Sequence, residues 1–86
     1  MNLEEIILLL DNTKLQREEV HYKPLNQDCI QYKDNNLPFT CTVNENTYTA
    51  EYLLIYKGET NLELLVKTLY AQVNIELSEI NTLTVT

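Results

Sequence analysis

The chain has 86 residues, 44% of them apolar, with a single Gly and two Pro. That length sets one domain, residues 1–86, with a thin core, and the composition excludes both disorder and long flexible linkers. Six basic residues face thirteen acidic ones, a net charge of −7, which argues against nucleic acid or anionic lipid as a direct partner, because both would repel this surface.

The opening stretch, MNLEEIILLL, carries Glu4 and Glu5 where a secretory leader needs positive charge. Its apolar run is too short to cross a bilayer, so a cytoplasmic location is the expectation. Leu3, Ile6, Ile7 and Leu10 recur at helical spacing, with Asn2 as cap and Glu5 three residues on, which predicts a helix ending at Asp11-Asn12-Thr13. Leu8 and Leu9 are left over and widen its apolar face. Val20 and Tyr22 alternate with charged residues and predict a short strand that Pro24 breaks.

The middle of the chain reads as hairpins. Asn35-Asn36 suits a tight turn because Asn tolerates positive φ, and Glu45-Asn46 reads as a second turn. Together they predict an antiparallel meander over residues 28–34, 37–43 and 48–56. Ile30, Tyr32, Leu37, Phe39, Cys41, Val43, Tyr48, Ala50, Tyr52 and Leu54 would form its buried face. Cys29, Gln31, Lys33, Thr40, Thr42, Thr49 and Glu51 would form a solvated one. Pro38 conflicts with this pairing, since it cannot donate to a ladder, and marks the point where the pairing should fail. Cys29 and Cys41 then lie on opposite faces and cannot join as a disulfide.

Beyond Lys57, Thr60 and Glu63 have capping-box spacing, and Leu62, Leu65, Val66, Leu69 and Val73 follow one helical stripe. A second helix packed on one sheet face is the prediction. Near Ser78 a short helical turn leads into the alternating Thr82-Leu83-Thr84-Val85-Thr86, read as a C-terminal edge strand. The expected fold is therefore α+β: an N-terminal helix, a meander of three to four strands, a second helix and an edge strand.

No chemistry is legible. One Gly cannot make a phosphate-binding loop, and His21, Cys29 and Cys41 have no metal-ligand spacing. A Cys–His pair lacks an orienting residue, and Glu4-Glu5 and Glu18-Glu19 are explained by helix polarity or by strand alternation. A non-enzymatic protein without cofactor or metal is expected. Of its six tyrosines, Tyr32, Tyr48 and Tyr52 fall on the predicted buried face, while Tyr22, Tyr56 and Tyr70 stay open between core use and interface use.

Two binding readings follow. Glu45, Glu51, Glu59 and Glu63 are candidates for a patch that contacts a basic protein surface. In size, charge and α+β layout, though by no shared motif, the chain is similar to the small acidic DNA-mimic proteins of phages and mobile elements. That resemblance implies an inhibitor that blocks a nucleic-acid-binding surface of a target protein. The alternative is a self-associating structural or accessory subunit using Leu8, Leu9, Leu83 and Val85, on an apolar helix and an exposed strand edge.

Overall fold

A computed structural model describes residues 1–58 and 60–86. The first helix stands where the periodicity puts it, α1 at Leu3–Asp11. Asn2 Oδ1 accepts from the Glu5 amide at 2.8 Å, and Glu5 Oε1 accepts from the Asn2 amide at 3.1 Å. At the other end Asn12 Nδ2 donates to the Leu8 carbonyl at 2.7 Å and Thr13 Oγ1 to that of Leu10 at 2.6 Å. These side chains satisfy carbonyls that a helix end leaves open. Ile6 and Leu10 are buried, while Leu8 is 66% exposed.

The strand read at Val20 and Tyr22 also forms and ends before Pro24, but the meander and the second helix are corrected. There is no second helix among the described residues and no simple meander. Seven antiparallel strands of the described residues form one sheet: β1 (Gln16–Tyr22), β2 (Gln27–Lys33), β3 (Phe39–Val43), β4 (Asn46–Lys57), β5 (Leu62–Thr68), β6 (Gln72–Glu76) and β7 (Leu83–Val85). Single 3₁₀ turns lie at Lys23–Leu25 and Leu77–Glu79, so the turn-then-strand reading of the tail holds. The segment read as the second helix is β5, a hairpin turn and β6. Leu62, Leu64 and Val66 contact the main core while Leu65 points to the opposite face. A strand covered on both sides reads as an unbroken apolar run, and helical spacing can be picked out of it by coincidence.

The first central turn forms as read, the second, read at Glu45-Asn46, forms one residue earlier, and the strands pair differently. Asn35 and Asn36 take positive φ, 44° and 66°, and Asp34 bridges Leu37. The ladder stops at Pro38: β2 pairs with β1 and β4, and β3 pairs with β4 and β7. The second turn is Asn44-Glu45, with Asn44 at φ 56° and Val43 facing Asn46. This is a two-residue shift from the predicted register, so Phe39, Cys41, Val43 and Ala50 keep their buried face.

β4 organises the sheet. Ala50 pairs with Phe39 on one side and Thr68 on the other, so β3 and β2 occupy the same edge of β4 in succession and the sheet forks there. Between Ala50 and Tyr52 the β4–β5 register slips by one residue, a β-bulge. A bulge counts one residue out of the alternation. Ala50 therefore points inward, and so do Leu53 and Ile55, whereas Tyr52, Leu54 and Tyr56 join the opposite face.

Both faces are consequently packed. The inner one carries the main core, centred on Ile6, Leu10, Tyr32, Leu53, Leu64 and Ile80. The outer one holds a smaller cluster of Cys29, Leu54, Tyr56 and Leu65, with Val20, Tyr22 and Tyr52 against it. Cys29, expected on a solvated face, is buried there, Tyr52 and Leu54 belong to this cluster and not to the main core, and Leu37, expected inside opposite Leu54, is exposed at the turn where it bridges Asp34. Both cysteines are free thiols.

Candidate functional site

The fork leaves an opening on the outer face. β3 departs from β4 after Ala50 and β2 joins it at Leu53, so the bulge at Glu51 and Tyr52 forms the floor of a cleft of about 540 Å³. Lys33 comes from the end of β2, Asn36 and Pro38 from the link that follows, and Leu69 from the β5–β6 turn. Lys33 Nζ donates to Asn36 Oδ1 at 3.3 Å. Burial pushes the Tyr52 hydroxyl above its ordinary range. The cleft thus offers one cation, one carboxylate and three apolar surfaces, the mixture typical of a recognition site.

Beside it stands the most exposed apolar feature of the described residues. Leu69 is 65% exposed and Tyr70 is 92% exposed, adjacent at the tip of the β5–β6 hairpin. The turn is firmly tied: the Thr68 amide donates to the Ala71 carbonyl at 2.8 Å, Thr68 Oγ1 donates to the same carbonyl at 2.9 Å, and Thr68 Oγ1 accepts from the Ala71 amide at 3.0 Å. Helical spacing assigns Leu69 to a buried stripe, which hides this pair. The usable signal was Tyr70, an aromatic residue off that stripe.

The acidic candidates are strung along the sheet and do not converge. Glu45 sits in the turn before β4, Glu51 at its central bulge, and Glu63 on β5 opposite Tyr56, near the far end. Glu59 lies outside the described residues. Glu63 is engaged internally, accepting from the Tyr56 hydroxyl and from Asn74 Nδ2 at 3.4 Å. Burial first, and this carboxylate second, drive the Tyr56 hydroxyl far above its ordinary range. Among the self-association candidates, Leu8 is exposed, Leu9 and Val85 are half-buried against the core, and Leu83 is inside it, 4% exposed.

His21 and Asp28 pair across β1 and β2, with Nδ1 and Oδ1 3.1 Å apart. Cys29, the next residue on β2, points to the opposite face, so imidazole and thiol lie on different sides of the sheet. Burial raises both thiols, Cys41 to about 11, the reverse of what a nucleophilic cysteine needs. Among the described residues no His, Cys, Asp and Glu cluster can hold a metal ion, and no helix is long and apolar enough to cross a membrane.

The chain matches no known protein family, no curated protein and no solved structure.

Proposed function

We propose that this protein is a non-enzymatic protein-binding module that docks its partner on the β5–β6 tip and the cleft beside it. The supporting observation is the Leu69-Tyr70 pair, two large side chains held in water on a tightly bonded turn. Tyr loses little conformational freedom when covered and carries both an apolar ring and a polar tip, which is why it anchors interfaces. A partner loop that covers this tip can set an apolar side chain against Leu69 and Tyr52, with Lys33 and Glu51 orienting polar groups at the rim. The turn is already ordered, so little entropy is lost in docking.

An acidic inhibitor of a basic surface is the second reading, and it is supported by the net charge of −7. Salt separates the two, since contacts between exposed charges are screened and apolar contacts are not. The test is capture of partners from the native host by the wild type, by Tyr70→Ala and Leu69→Ser, and by a Glu45→Gln, Glu51→Gln, Glu63→Gln variant, at low and high salt. Docking at the tip predicts capture that survives high salt and falls about 30-fold with Tyr70→Ala, as for an interface hot spot. Capture that is abolished by salt and by the glutamine variant, and unaffected at Tyr70, would replace this reading with the acidic one.

A further inference from the structure

We infer that two copies of this chain join edge to edge through β6, antiparallel and centred on Asn74. The sheet ends in three strands, β1, β7 and β6, and an open edge is a template for another strand unless it is protected. β1 is protected by charge, with Arg17, Glu18 and Glu19 in succession and Arg17 paired to Asp11 at 3.3 Å. β7 is three residues long and α1 packs against it. β6, Gln72–Glu76, has no Pro, no bulge and one charged residue, and among the described residues it pairs with β5 alone.

The register fixes which groups are on offer. The Thr68 amide bonds the Ala71 carbonyl across the turn. Alternation along an antiparallel ladder then turns the backbone groups of Val73 and Ile75 toward β5 and those of Gln72, Asn74 and Glu76 toward the open edge. A twofold axis at Asn74 sets Asn74 against Asn74 of the second copy, Gln72 against Glu76, and Val73 against Ile75. No pair opposes like charges: Asn74, whose Nδ2 already donates to Tyr56 and Glu63, meets its own copy, Gln72, whose Oε1 already accepts from Tyr22, meets the Glu76 carboxylate, and aliphatic meets aliphatic on the face where Val73 and Ile75 already touch the core. About six backbone hydrogen bonds close the seam. Sliding the register one way opposes the two Glu76 carboxylates, and sliding it the other way runs the seam into the hairpin turn. The −7 charge on each copy is spread over the surface and screened beyond about 10 Å at ordinary salt.

Sedimentation equilibrium over a concentration series tests the pairing, read against a chain mass of 10.1 kDa. The expected result is a reversible dimer. Gln72→Glu opposes like charges at both ends of the seam and should weaken it about tenfold, whereas Gln72→Lys places opposite charges there and should tighten it. Asn74→Lys sets two cations face to face in the dimer, while in the single copy its ammonium can donate to Glu63 and the Tyr56 hydroxyl in place of the Asn74 amide, so it should dissociate the dimer while the melting curve confirms the fold. Tyr70→Ala leaves the dimer unchanged, which separates this inference from the docking surface above. A wild type that stays at the single-chain mass throughout overturns the proposal, and so does a dimer indifferent to all three β6 variants.

Discussion

Deleting Glu51 should leave the fold standing, because Glu51 is the residue that the ladder counts out. Glu51 is exposed and lies where the β4 register slips. Without it Ala50 joins Tyr52 directly, and Ala50–Thr68 and Tyr52–Lys67 become consecutive rungs. Regular alternation then turns Ala50, Leu53 and Ile55 inward and Tyr52, Leu54 and Tyr56 outward, the faces they already take. No core side chain changes side, so the deletion should cost less than about 1.5 kcal/mol, and Glu51→Ala, which retains the bulge, less than about 0.5 kcal/mol. Deleting Leu54 is the contrast. It removes one buried side chain and forces either Leu53 or Ile55 out of the main core. Burial of each aliphatic side chain stabilises by about 1.5–3 kcal/mol, so this deletion should cost about 3–6 kcal/mol, against a total stability of about 4–13 kcal/mol for a chain of this size. Urea unfolding followed by near-ultraviolet circular dichroism compares the variants. A Glu51 deletion as costly as the Leu54 deletion would refute Glu51 as the residue left out of the ladder.

Three further outcomes are expected. Asn44 combines positive φ (56°) with hydrogen bonds from Nδ2 to the Glu79 carbonyl at 3.0 Å and to Oδ1 from the Asn81 amide at 2.8 Å. Asn44→Gly should therefore lose about 1–2 kcal/mol and Asn44→Ala about 1 kcal/mol more, and urea midpoints in any other order would contradict this. Tyr32 is fully buried and its hydroxyl donates to Asp11 at 2.9 Å, so Tyr32→Phe should lower stability by about 1–1.5 kcal/mol and Tm by roughly 4–12 °C in a calorimetric scan. Burial raises the Cys41 thiol from 9.0 to about 11, and burial together with Asp11 raises the Tyr32 hydroxyl from 10.0 to about 12. The fold favours both neutral forms, so stability is intact below pH 9 and falls as pH climbs through 11 and then 12. Cys41 accounts for about 3 kcal/mol of that loss, and Cys41→Ala should flatten its part of the pH profile of urea midpoints.

The readable parts of the sequence were those in which one residue type has one physical use. Asn2 with Glu5 predicts a capped helix start, and the capping box forms. Asparagines supply every positive φ among the described residues, at Asn26, Asn35, Asn36 and Asn44, which is why turns were visible in a chain with one glycine. Pro38 marked where the first hairpin would fail, and the ladder ends beside it. The unreadable parts have two causes. Leu64, Leu65 and Val66 serve two cores at once, so period two never shows, and Glu63 mimics a cap while accepting from Tyr56. The turn that follows holds Leu69 and Tyr70 in place of Gly, Asn or Pro, and Thr68 closes it with its side chain. Nothing local announces that hairpin, and with it the candidate docking tip was lost. The bulge at Glu51 is likewise silent, since any exposed residue could occupy it.

The cleft and the second core share a geometric origin. β1 and β6 are four strand steps apart through β2, β4 and β5, about 19 Å in a flat sheet. Yet the Tyr22 hydroxyl donates to Gln72 Oε1 at 2.9 Å, farther than the two side chains reach together unless the sheet curls. Strand twist makes a sheet saddle-shaped, so one pair of diagonal corners bends toward each face. Tyr22 and Gln72 stand at such a diagonal on the outer face and close over Leu54, Tyr56 and Leu65, while α1 packs on the inner one. The outer face opens at the bulge, where Pro38 has ended the β2–β3 pairing, β3 continues along β4, and Tyr52 and Leu69 line the cleft. One proline that cannot join a ladder thus becomes, through the fork and the bulge, the reason this small chain presents a walled recess beside an exposed tyrosine.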